Sequence, residues 1–284
     1  MDQIGSAARR AGSMTLTGSL SIGAKVKHGR TILHDCYYDG ALKLSRPVYL
    51  EDDHPTFYLM HVGGGYVSGD LYNQLIVLEE GANLSLTTQS ATKVYKTTGE
   101  PARQETEIVL KEGSFLSLIQ DPLILYKHAR YAQMTTVHLE KNASFLMTDI
   151  LTPGWAENGQ FFTYDDIRTK LKVYRNRHLV LSDHLYLKPK KQMEAVMMMG
   201  EYTHFGSLLF LHEQADANVI KQLQNIGEKY KEKARIGFSI PPVKGIVIRV
   251  LAYRTQVIEA LFSECEAMIR KQVLNQPAIH YRKY

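Results

Sequence analysis

This sequence predicts a mainly β fold, a sandwich, a barrel or stacked solenoid-like sheets, finished by a smaller β-α-β-β-α layer carrying two helices. Three observations carry that prediction. Residues 15–187 are filled with short apolar runs separated by tight-turn residues. A strand, a Glu/Lys-Gly/Asn-Ala/Ser turn and a second strand recur at intervals of roughly 30 residues, as stacked coils do. Beyond residue 200 the alternation of strands gives way to the three-and-four spacing of amphipathic helices.

Taken in order, residues 1–13 are polar and small, with Arg9 and Arg10, and lack the apolar stretch of a secretory leader. They are expected to be a disordered tail or an added extension, with a natural start at Met14. Residues 14–284 are expected to form one domain, with a β body over 14–200 and a helix-containing part over 201–275. In the body, Phe57-Tyr58-Leu59-Met60, Leu75-Ile76-Val77-Leu78 and Glu107-Ile108-Val109-Leu110 read as strands. Glu80-Gly81-Ala82-Asn83, Lys111-Glu112-Gly113-Ser114 and Glu140-Lys141-Asn142-Ala143-Ser144 are the turns between coils. Later come a strand at 207–212 and a helix over 216–233 that places Val219, Ile220, Leu223, Ile226 and Tyr230 on one face. Strands at 234–240 and 245–252 follow, then a helix over 255–273 through Val257, Ile258, Leu261, Phe262, Cys265, Met268 and Ile269. No Pro/Gly/Ser linker precedes this layer, so it should be integral to the body, both helices covering one sheet face.

Bulk properties narrow the function. No stretch approaches 18 uncharged apolar residues, so no membrane span is expected, and without a leader the chain is expected in the cytoplasm. A net charge of +5 with a pI near 9.0 suits acidic protein partners at most. Lys221, Lys229, Lys231 and Lys233 read as a solvated helix face, and Arg282-Lys283 as a frayed tail. Nucleic-acid binding would need a denser basic stripe interleaved with aromatics and is not expected. Cys36 and Cys265, far apart and outside any Cys-x-x-Cys, read as reduced, partly buried thiols.

Catalytic constellations are missing from the sequence. It has no Gly-x-Ser-x-Gly, no Gly-Lys-Ser/Thr, and no His-x-His or His-Glu-x-x-His among its 11 histidines. What stands out instead is a glycine turn, Gly63, Gly64, Gly65 and Gly69, closing on Asp70. Such a cluster marks backbone at positive φ or in close approach to a neighbour. A strand, not a helix, follows it, so it does not cradle phosphate. Three further polar residues sit in apolar surroundings: Thr92 before Lys93, Asp149 between Phe145-Leu146-Met147 and Ile150-Leu151, and Asp183 after Leu179-Val180-Leu181. A carboxylate in such a run costs several kcal/mol unless paired, hydrated or metal-bound. Asp70 and Asp183 can equally cap turns. Asp149 points to function or to a buried hydrogen-bond network.

The stretch from His61 to Asp70, followed by Thr88-Gln89-Ser90-Ala91-Thr92-Lys93-Val94-Tyr95, closely resembles the urease accessory protein D family, called H in some bacteria. So do Ala41 through Tyr49, Gln120-Asp121-Pro122-Leu123-Ile124, Thr148-Asp149-Ile150-Leu151-Thr152-Pro153-Gly154 and Arg249 through Thr255, in the right order along nearly the whole chain. The resemblance implies a non-enzymatic, β-solenoid-like scaffold. It would dock on apo-urease and bind accessory protein F, and through F the nickel-carrying GTPase G. It further implies that Asp70, Thr92, Asp149 and Asp183 line a water-filled passage for a transient nickel ion, with no tightly bound cofactor. At Asp183 some relatives carry Glu. Two rivals stay open: a carbohydrate-active solenoid using a carboxylate pair in an aromatic-lined cleft, and a purely structural binding module. Tyr202 and Phe205, with the lysine-rich helix face, are expected as exposed docking surface.

Overall fold

The computed structural model describes residues 15–49, 55–189 and 199–281. The expected tail at 1–13 and the Arg282-Lys283 pair lie outside the described residues. The body opens with β1 (Gly18–Lys27), β2 (Arg30–Gly40), β3 (Leu42–Leu44) and β4 (Thr56–His61). Three coils follow: β5 (Leu71–Leu78), β6 (Asn83–Thr88) and β7 (Thr92–Val94); β8 (Ala102–Leu110), β9 (Phe115–Ile119) and β10 (Leu123–Leu125); β11 (Arg130–Leu139) and β12 (Ser144–Leu151). A hairpin of β13 (Asp166–Arg175) and β14 (His178–Leu187) closes the body. The last part is β15 (His204–Leu211), α1 (Ala217–Glu228), β16 (Ala234–Ser239), β17 (Gly245–Ala252) and α2 (Thr255–Ile269), which runs on through a π-helical turn, Arg270–Leu274.

Equivalent strands of successive coils pair in parallel. β1, β5, β8, β11 and β13 make the first sheet, with β2 and β14 antiparallel at its edges. β4, β6, β9 and β12 make the core of the second sheet, which β15, β17 and β16 extend antiparallel. The short β7 and β10 pair along a third side. The solenoid expectation is therefore met, and the repeated turn is what enforces it. Gly81, Gly113 and Asn142 stand at φ 67°, 66° and 56°. Each turn closes on itself, and Gly81 N donates to Glu112 O of the next coil at 3.0 Å, as Gly113 N does to Lys141 O at 3.1 Å.

Three layers result: first sheet, second sheet, helices. Alternation along β12 shows how one strand serves two cores, since Phe145 and Met147 face the first sheet while Leu146 and Ile150 face the helices. Each such side chain, fully buried, contributes roughly 1.5–3 kcal/mol. Asp216 caps α1, its carboxylate accepting from Asn218 N and Val219 N at 3.0 Å. α1 stops at Glu228, five residues short of the sequence expectation. Gly227 lies there against Phe238, whose ring would stand 2.9 Å from an added Cβ. α2 seats on β15 at Gly206, where a Cβ would meet Ile258 at 2.5 Å. α2 is stapled to the second sheet by Arg270, fully buried, which donates to Glu266 Oε1 at 3.0 Å and Ser85 Oγ at 2.9 Å. Sequence reading gave no sign of this network.

Cys265 is buried in the helix layer as expected, whereas Cys36 is exposed on edge strand β2; both are free thiols. No helix among the described residues is long and apolar enough to cross a membrane.

Candidate functional site

The layer between the two sheets is not uniform. On the inner face of the first sheet, Ile76, Ile108 and Val137 form one register row and Leu78, Leu110 and Leu139 the next, all buried. Toward the other end of the same strands the rows turn polar: Gln74, Thr106 and Thr135, then Tyr72, Gln104, Gln133 and Thr169. The second sheet answers with its own polar row. One residue beyond the paired Thr87, Ile119 and Thr148 stand Thr88, Gln120 and Asp149. The row continues through the partners Ser207 and Arg249.

Between these rows lie three cavities of about 70, 130 and 10 Å³, all walled in part by Gln104 and Gln120. A cavity needs about 10–15 Å³ of such space to hold one water when polar partners are present, so the two larger ones accommodate several. They form a string across the stacked strands, walled by polar groups and by aliphatic side chains such as Met147 and Leu185, from the glycine turn at one end to Asp183 and Arg249 at the other.

At the first end the glycines behave as their spacing requires. Gly63, Gly64, Gly65 and Gly69 have φ of 123°, 81°, 149° and 80°. Gly65 also packs so close to β7 that an added Cβ would stand 2.7 Å from Lys93 O and from the Tyr95 ring. Asp70 is held by Val67 N at 2.8 Å, Thr17 Oγ1 at 3.0 Å and Tyr72 Oη at 2.9 Å. It thus caps its turn and lines none of the three cavities. Behind it, Tyr72 bonds His61 Nε2 at 2.8 Å and stacks on Tyr66 with ring centroids 4.1 Å apart. Tyr66 then donates to Gln104 Oε1 at 2.7 Å. Burial lowers the His61 pKa, partly opposed by the Asp70 charge, and raises both tyrosines.

At the other end Asp149 accepts from Gln120 Nε2 at 2.9 Å. What remains accessible of its side chain faces the cavity. Burial pushes its carboxyl up to about 7, with Arg249 pulling down and Asp183 pushing up. Asp183 sits mid-strand in β14, not in a turn, and its ion pair with Arg249 of β17 ties the first sheet to the second. The Arg249 guanidinium also lies 5.4 Å from the centre of the Phe205 ring. Thr92 lines both larger cavities.

Of the four residues chosen from sequence, Thr92, Asp149 and Asp183 therefore line one cavity, and Asp70 stands behind Tyr72 at the opposite end. The expectation of exposed Tyr202 and Phe205 is corrected. Both are half-buried, because Arg235 and Arg249 stack on them and Tyr202 packs on Tyr253. Sequence reading missed Gln74, Gln104, Gln133 and Arg249. The glutamines have a signal in the coils aligned on their turns: Gln74-x-Ile76-x-Leu78, Thr106-x-Ile108-x-Leu110 and Thr135-x-Val137-x-Leu139 repeat a polar position before two apolar ones, and Gln104 and Gln133 stand two residues before Thr106 and Thr135; Arg249 has no such signal.

Among the described residues no three or more His, Cys, Asp or Glu side chains gather to hold a metal ion. The cavity instead offers three carboxylates, those of Asp121, Asp149 and Asp183, with amides and hydroxyls, and has the Arg249 guanidinium and the Lys170 ammonium beside them. Such oxygens suit a hydrated divalent ion in passage and would not trap it.

A family model described as UreD urease accessory protein matches residues 16–283. The chain belongs to the UreD family of urease accessory proteins. The urease accessory protein UreD of Bacillus sp. (strain TB-90) is 47% identical over 271 residues, covering 95% of this chain and all of the relative. That of Lachnoclostridium phytofermentans is 41% identical, over 94% of this chain and 98% of its own length. That of Staphylococcus aureus (strain bovine RF122 / ET3-1) is 35% identical with the same two coverages. Family membership thus rests on the whole chain, from β1 through α2, as the order of motifs anticipated.

Proposed function

We propose that this UreD-family chain is a cytoplasmic scaffold of urease maturation that docks on apo-urease and passes nickel to its active site. Accessory protein F would bind it and link it to the nickel-carrying GTPase G. GTP chemistry would belong to that partner, since this sequence has no phosphate-binding glycine motif. One observation carries the reading: Thr92, Asp149 and Asp183 line a cavity with room for several waters that shares walls with two others. A dication stripped of water inside a protein is prohibitively costly, so a path for it must keep water or supply oxygen at each step. The glutamine and threonine rows supply neutral oxygens along the way, and Asp149 supplies charge. With its carboxyl at about 7, Asp149 is part-ionised at neutral pH and holds a cation weakly enough to release it. Arg249 offsets Asp183 in the same cavity. The carbohydrate-enzyme reading is less well supported, because Asp183 is engaged by Arg249 and so is not free to act as one of a catalytic carboxylate pair.

The test is co-expression with the urease subunits and the other accessory proteins, comparing wild type with Asp149→Ala. Activation should fall while the complex still assembles. Full activation by Asp149→Ala contradicts the reading.

A further inference from the structure

On the third side of the solenoid, where β7 and β10 pair, the side chains just past each short strand form a ladder of rings. Tyr95 and Tyr126 have ring centroids 4.7 Å apart, and Tyr126 and Trp155 4.9 Å. The backbone fixes the spacing: Tyr126 N donates to Val94 O, Lys127 N to Trp155 O and Trp155 N to Leu125 O. Trp155 is nevertheless 50% exposed, and nearby in sequence Phe161 is 58% exposed. Tyr95 and Tyr126 are half-buried and hold Trp155 at fixed spacing with half of its surface in water, and such aromatic side chains are enriched in the anchors of protein interfaces.

Two further features define what fits there. Lysines are the sequence neighbours of the ladder tyrosines: Lys93, in register with Ile124, lies two residues before Tyr95, and exposed Lys96 and Lys127 directly follow Tyr95 and Tyr126. A second copy of this chain, itself charged +5, would bring lysine against lysine. The ladder is also continuous with the cavity string. Tyr95 Oη donates to Gly64 O at 3.2 Å, and Gly64, Gly65 and Lys93 wall the 130 Å³ cavity.

We propose that the Tyr95–Tyr126–Trp155 ladder, with Lys96 and Lys127, is a docking surface for a protein partner whose apolar centre is rimmed by carboxylates. Seated there, that partner would cover the glycine-turn end of the cavity string, so its acidic rim would meet the passage where Lys93 stands. The inference rests on the maturation reading for the two proteins used as probes, apo-urease and accessory protein F.

The experiment measures the affinity of each purified probe for wild type, Trp155→Ala and Lys127→Glu at low and high salt, with thermal unfolding as the fold control. Lys127→Glu lies on the exposed rim, so it reports even where loss of the indole disturbs the turn. Both variants should weaken the same probe by roughly tenfold or more. Wild-type binding should fade with salt, and that of Lys127→Glu should change less. Unchanged affinity of both variants for both probes overturns the proposal. So does weakening by Trp155→Ala alone, which would deny an acidic partner, or a wild-type dimer that Trp155→Ala disperses, which would make the occupant a second copy. Because this assay measures binding in the absence of nickel, failure here leaves the Asp149 activation test intact, and failure there leaves this surface intact.

Discussion

The two halves of the inter-sheet layer are built from the same strands, yet one, the dry half, is filled by aliphatic side chains, and the other, the wet half, holds cavities with room for water. In the dry half, Ile76, Ile108 and Val137 stack over Leu78, Leu110 and Leu139, and the coil turns beside them repeat closely. A few residues back along each strand, Gln74, Thr106 and Thr135 replace the aliphatics, and the layer opens into cavities. A solenoid needs only one packed edge to hold its coils in register. Once the turn edge supplies it, the other is free to carry groups that a core would reject.

Substitutions separate the halves. The largest effect is expected in the dry half, where Ile108→Ala should lose about 2–5 kcal/mol of stability in urea unfolding without changing the polar rows. Next comes pH. The Asp149 carboxyl, raised to about 7 by burial, favours the fold when protonated. Its contribution is therefore full below about pH 4, where the unfolded chain is also protonated, and is lost progressively as pH rises from there to about 7. Relative to Asp149→Asn, wild type should lose stability between about pH 4 and about pH 7, by up to roughly 3 kcal/mol once cavity water is allowed for, and no further above that. A flat difference would place the carboxylate in bulk solvent. Gln104→Ala should cost roughly 1–3 kcal/mol, because it strips the acceptor from buried Tyr66 Oη. The same change should alter activation more than Ile108→Ala does at matched stability. The smallest expected effect is on metal affinity. Arg249→Gln leaves Asp183 uncompensated beside Asp149, so titration calorimetry should show nickel held roughly tenfold tighter or more than by wild type. Unchanged affinity would mean that the guanidinium does not govern release.

The contrast also explains what the sequence revealed. The dry half and its turns were legible, because Gly81, Gly113 and Asn142 repeat at coil spacing between apolar runs. The helix layer was legible from Leu223, Ile258 and Phe262 at helical spacing. Asp149 was conspicuous because it breaks an apolar run. The glutamines were not, since Gln104 and Gln133 sit among other polar residues in strands that alternate anyway, and only coil alignment makes them a row. Arg249 and Asp183 are 66 positions apart in the chain, as is typical of partners that only sheet order brings together. The Arg270–Glu266 staple hid for the opposite reason, because charges four apart on a helix usually read as solvated surface.

One measurement tests directly whether the wet half is the working part. Gln133→Leu combined with Thr135→Val converts two of its rows toward the dry pattern while keeping side-chain size, and Tyr131 retains Gln104 as a partner. The account predicts a chain at least as stable as wild type that assembles with its partners but delivers little nickel to urease, read as metal content and activity of the enzyme. Normal nickel loading through a dried passage would contradict it.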